Sequence, residues 1–186
     1  MRLKVIGKHL IIEHRNLILF TLVVFSSVWL WLSGTIERFV LSLGEYGYIG
    51  ALIGGLFYSY GITSPFAVVL FAAFSEDLDI ALAAVLGGFA AMISDYIIFK
   101  NIEEEIRKPI KVTSHYKIKI PRIKSKILYI LGLIIAGIII ASPLPDELAA
   151  IILGLEKFDE KAFILLSFSF NSLGLLAIML IVRALI

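Results

Sequence analysis

The sequence predicts an all-α integral membrane protein built as an inverted repeat, each unit a re-entrant helical hairpin plus a transmembrane helix, behind an N-terminal amphipathic and transmembrane helix. Three observations carry this. Hydrophobic residues make up 60% of the 186 and mean hydropathy is +0.98, well above the roughly 45–50% apolar content of soluble domains. Several apolar runs exceed the roughly 17–25 residues needed to cross the hydrocarbon. Two of those runs, of 28 and 29 residues, are each broken near the middle by a Ser-Pro pair, and the pairs stand 78 residues apart.

Composition also excludes. A net charge of +2 is too small to point to nucleic acid, and the absence of cysteine removes disulfides, thiol catalysis and cysteine-ligated metal. No nucleophile motif, phosphate-binding glycine loop or zinc signature is present, so an enzyme is not expected, and no cofactor is implied. His9, His14 and His115 are scattered in basic stretches without metal-ligand spacing.

Residues 1–16 carry Arg2, Lys4, Lys8 and Arg15, with Leu3, Ile6, Leu10 and Ile11 at helical period. They read as a cytoplasmic amphipathic leader lying on anionic lipid, or as a plain topogenic basic segment. The first half follows over residues 17–99. It opens with a span from Leu17 to Leu32, continuing toward Leu43, with Trp29 and Trp31 placed for the interfacial aromatic belt. Glu37 and Arg38 mark the outer surface.

Residues 47–74 contain no charge, and Gly61 and Pro65 interrupt them at GITSP. Ser75 is placed to cap the next helix, a span over residues 80–99 in which Gly87, Gly88, Ala90 and Ala91 permit close packing. Residues 100–126 hold nine Lys/Arg against three Glu and form the cytoplasmic loop. That loop fixes the topology. With the N-terminus also inside, residues 17–32 go out and 80–99 return, so residues 47–74 enter and leave from the outer side as a re-entrant hairpin.

The second half, residues 127–186, has the same plan: a broken segment over 127–155, a polar turn, and a span over 162–186. Aligned at Ser64-Pro65 and Ser142-Pro143, the halves run in opposite senses across the membrane. Inverted repeats with discontinuous segments are the pattern of secondary transporters, whose binding sites form where the breaks meet. The second break is the more loaded. Pro143 and Pro145 remove backbone donors, and Asp146 and Glu147 follow at membrane depth, where a carboxylate is a functional candidate by default. Asp95 and Asn171 lie at comparable depths in the two spans. Asp146, Glu147, Asp95 and Asn171 are therefore the candidates for proton or substrate contact, with Ser64, Pro65, Ser142, Pro143 and Pro145 forming the breaks. Capping by Asp146, a near-interface position for Asp95 and a packing hydrogen bond for Asn171 are the structural alternatives. Tyr60, Thr63, Ser64 and Ser142 are expected mainly to satisfy the broken backbone.

From SPFAVVLFAAFSEDLDIALAAVLGGFAAMISDYIIFK, with Asp95-Tyr96, and from SPLPDE, which gives Pro-x-Pro-x-Glu at Pro143, Pro145 and Glu147, the chain resembles the DedA/VTT superfamily (SNARE-associated, TVP38-like) over roughly residues 45–186. It differs in carrying the acidic motif in the second break and in lacking the family's arginine-bearing motif. The resemblance implies a multi-pass cell-membrane protein that scrambles phospholipid or translocates polyprenyl phosphate or another anionic amphiphile, in a proton-coupled manner. Its partners would be membrane lipids and protons, and a homo-oligomer is left open. A small-molecule or multidrug exporter and a non-transporting scaffold are the alternatives.

Overall fold

A computed structural model describes residues 2–107, 126–144, 146–155 and 158–185, with side chains described for 17–44, 46–104, 130–144, 146, 148–153 and 158–185. The basic loop beyond residue 107, Pro145 and the Glu147 side chain lie outside them. The described residues are helical apart from short turns. The helices are α1 (Arg2–Leu32), α2 (Thr35–Leu43), α3 (Gly47–Tyr58), α4 (Ser64–Asp77), α5 (Ile80–Arg107), α6 (Lys126–Ala141), α7 (Asp146–Leu155) and α8 (Glu160–Leu185).

Length separates these helices into two kinds. Ile80–Glu104 and Glu160–Leu185 are long and apolar enough to cross a membrane; at 1.5 Å per residue the second reaches about 39 Å. The pair Leu17–Leu32 and Thr35–Leu43 makes a third candidate, bent by 73°. These spans are consistent with a membrane protein. By contrast α3, α4, α6 and α7 contain 12, 14, 16 and 10 residues, so none reaches across a hydrocarbon core of roughly 30 Å alone.

Each short pair folds back on itself, α3 against α4 and α6 against α7, and the long helices α5 and α8 pack against each other. The way the short helices meet the long ones repeats. Helix α3 lies on α5 of its own half, while α4 lies chiefly on α8. Helix α6 lies on α8 of its own half, while α7 crosses to α5. The core follows this exchange. One apolar cluster joins Phe71 and Phe74 of α4 to Leu175 and Met179 of α8, and another joins Phe99 of α5 to Ala149 and Leu153 of α7.

Small residues allow the long helices to approach closely, as their spacing predicts. A Cβ on Gly88 of α5 would stand 2.1 Å from Ser172 Oγ of α8, and one on Gly174 would stand 2.0 Å from the Ala141 carbonyl oxygen that ends α6. Leu17, Phe25, Trp29, Leu165, Leu173 and Ile181 face outward, as lipid-facing side chains do.

Four local expectations need correction. The leader is not separate: α1 runs unbroken through residues 2–32, because no glycine or proline lies between Arg15 and Leu32. The helix ends at Gly34, whose φ of +65° favours glycine, and Arg38 donates from Nε and Nη2 to the Gly34 and Ser33 carbonyls, both at 3.2 Å. Ser75 does not cap α5. It lies within α4, its hydroxyl donating to the Ala72 carbonyl, and Asp79 caps instead by accepting from the Leu82 N–H at 2.8 Å. The span at 80–99 continues as helix to Arg107, so the first residues of the basic segment are helical. Finally, the tyrosine that serves a break is Tyr58, not the exposed Tyr60.

Candidate functional site

The two breaks meet. Ser64, the first residue of α4, donates its hydroxyl to the Pro143 carbonyl at 3.1 Å and to the Gly61 carbonyl at 3.2 Å. Tyr58, the last residue of α3, donates to the Ala141 carbonyl at 3.0 Å. Both acceptors belong to the second break, where chain interruption leaves carbonyls without helical partners. The first break is otherwise closed locally, with Ser64 N–H donating to the Tyr60 carbonyl at 2.8 Å and Thr63 Oγ1 donating to the Phe57 carbonyl at 2.7 Å. Pro65 falls in the first turn of α4, where its missing donor costs little. Ser142 donates to the Ile139 carbonyl at 2.9 Å.

Asp146 is the first residue of α7 and is 3% exposed. Asp95 on α5 is 1% exposed. Its Oδ2 accepts from Ser167 Oγ and from Asn171 Nδ2, both at 2.6 Å, and Asn171 Nδ2 also lies 3.2 Å from Ser167 Oγ. Ser167 and Asn171 are four residues apart, one turn of α8, so both reach one carboxylate. Asp95 Oδ1 and Asn171 Oδ1 have no partner among the described residues.

The buried Tyr58 hydroxyl lies in the field of both Asp146 and Asp95. Reciprocal bonds fix α3 beside α5: Ser59 Oγ donates to the Ala91 carbonyl at 2.9 Å, and Ser94 Oγ to the Leu56 carbonyl at 3.2 Å. Of the sequence candidates, Asp95 and Asn171 touch each other, Ser64 and Pro143 touch each other, and Asp146 lies in the field at Tyr58. The Glu147 side chain and Pro145 lie outside the described residues.

Sequence reasoning missed Tyr58 and Ser167. The first had a visible signal: Gly47, Ala51, Gly54, Gly55 and Tyr58 lie on one small-residue face of α3. The second stands one turn before Asn171 on the face that α8 turns toward α5.

A second polar group lies about one turn further along α5 than Asp95. Lys100 pairs with Glu160 of α8 and lies 3.8 Å from Glu103, and Tyr96 donates to Glu160 Oε2 at 3.2 Å. Beside it Phe99 and Phe163 stack at 4.2 Å.

Two apolar grooves border the first break. One, of about 330 Å³, is lined by Phe39, Leu43, Ile53, Phe57, Phe66 and Leu70, among others. The other, of about 240 Å³, shares Phe57 and Phe66 and adds Val23, Ser26, Ser27 and Thr63. No family model, curated protein or solved structure matches the chain.

Proposed function

We propose that the protein is a membrane transporter moving a lipid or a lipid-linked anionic amphiphile, coupled to an ion, through two inverted units whose re-entrant breaks form the substrate site. One observation carries this reading: the two interrupted segments touch through Tyr58 and Ser64, beside the buried carboxylates Asp95 and Asp146. Interrupted backbone and buried acids are each costly in hydrocarbon. Their convergence from four helices is the arrangement expected of a binding site at a repeat interface.

The exchange of packing partners between the halves supports the repeat, since each unit places its first short helix on its own long helix and its second on the other's. The resemblance to DedA/VTT proteins supports a lipid-like substrate, and so do the grooves at Phe57 and Phe66, which offer an apolar chain a place beside the break. The N-terminus of α7 offers a partial positive charge to an anionic head group. An anion and the Asp146 carboxylate at one site need a cation between them, and a coupled ion supplies it.

The test is transbilayer movement of fluorescent phospholipid and of polyprenyl phosphate in proteoliposomes. Wild-type protein is expected to exceed empty vesicles, with Asp146→Asn and Glu147→Gln each at least tenfold slower. Full activity in both variants removes the carboxylates from the mechanism, and wild-type movement equal to empty vesicles leaves a scaffold. Cysteines placed singly at residues 76 and 157 are expected to label from opposite sides; labelling from one side overturns the inverted arrangement.

A further inference from the structure

We infer that Asp95, Asn171 and Ser167 form a binding site for a single Na⁺ ion. The inference deepens the transporter reading by naming the coupling ion, and it rests on that reading only for the word coupling; the site itself stands on its own geometry.

Asp95 Oδ2 is fully used, accepting from Ser167 and Asn171. What remains is two oxygens with lone pairs and no donor. Asp95 Oδ1 and Asn171 Oδ1 have no partner among the described residues, although their residues are 1% and 0% exposed. Ser167 Oγ has committed its proton to Asp95 and accepts from Asn171 Nδ2 at 3.2 Å, which leaves it one lone pair. Native interiors rarely leave two such acceptors unserved in one place, and a membrane interior offers less relief still. No lysine or arginine among the described residues pairs with Asp95.

The chemistry of the set selects the ion. Carboxylate, carboxamide and hydroxyl oxygens are hard ligands, suited to alkali and alkaline-earth cations rather than to thiophilic metals. A single carboxylate balances a single positive charge. Ca²⁺ would take six to eight oxygens, and no group of three or more His, Cys, Asp or Glu that could hold a metal occurs among the described residues. Size favours Na⁺ over K⁺, because α5 and α8 are in tight contact at Gly88 and Ser172, the latter the residue after Asn171. Breaks in membrane helices bring further carbonyl oxygens to such ions. Tyr58 is a further titratable group in the field of Asp95, and Tyr96, Lys100 and Glu160 are gathered about one turn further along α5.

The experiment is thermal unfolding of the purified full chain in detergent, followed by the fluorescence of Trp29 and Trp31. NaCl, KCl and choline chloride are compared at constant ionic strength and at several pH values. Na⁺ is expected to raise the midpoint saturably, K⁺ more weakly and choline not at all. Asp95→Asn is expected to abolish the response and Ser167→Ala to weaken apparent Na⁺ affinity at least tenfold; the serine variant serves if the aspartate variant does not fold. Equal midpoints in Na⁺ and choline, with stability set by pH alone, make the occupant a proton and overturn the inference. A Na⁺ response retained in both variants overturns it as well. Saturable Na⁺ stabilisation in a chain that moves no lipid leaves the site intact and removes only the transport reading.

Discussion

The two breaks are built from the same Ser-Pro signal and do opposite work. The first, around Ser64-Pro65, carries no charge and exports hydrogen-bond donors: Tyr58 and Ser64 both reach across to the second. The second, around Ser142-Pro143, carries the acid and exports acceptors, the carbonyls of Ala141 and Pro143. Two identical breaks would place like against like, and the difference makes these two complementary.

The strongest way to break this comparison is to make the first break acidic as well. Counting 78 residues back from Asp146 reaches Val68, a partly buried residue packed against the α4–α8 core. Val68→Asp is expected to cost about 3 kcal/mol, the scale for an aspartate at membrane depth, read as a lower thermal midpoint or loss of folded protein. Gly174→Ala comes next. Its Cβ would overlap the Ala141 carbonyl, prising α8 from the second break, and a cost toward the top of the range of about 1–3 kcal/mol is expected in a denaturant titration.

Tyr58→Phe sharpens the donor half. It strands a break carbonyl and is expected to cost about 1–3 kcal/mol, more than Ser64→Ala at about 1 kcal/mol, since Ser64 N–H still closes the first break. Equal or inverted costs would mean that the cross-break bonds are incidental. A double-mutant cycle on Asp95 and Asn171 is expected to give a coupling of about 0.5–3 kcal/mol. Lys100→Ala, which removes a half-exposed ion pair, is expected to move the midpoint least, and the little it does should fade in high salt.

Legibility in the sequence followed the range of the interaction. The broken segments and the small-residue faces of α5 are local patterns, and the helices begin near where those patterns place them. The burial of Asp95 is not local. Its position close to the basic segment suggests an interface, yet the helix continues to Arg107, and α8 supplies its partners from 72 and 76 residues away. Tyr60 lies closer to the interruption in sequence, but it falls in the bend after α3 and is exposed, whereas Tyr58 ends the helix and is buried. Ser75 resembles a cap in sequence, but α4 extends past it to Asp77, leaving Asp79 the position before α5. The donor–acceptor division between the breaks could not be read from either alone, because each half of it is a bond to the other.

The crossed arrangement of α4 on α8 and α7 on α5 also sets an order of events during synthesis. When the first half emerges, the side of α4 bearing Phe71 and Phe74 has no α8 to cover it, and Leu175 and Met179 are the last of their cluster to be made. The first hairpin therefore waits for a helix about a hundred residues later in the chain. Closure of such distant contacts is slow, so the first half is made well before its core is complete.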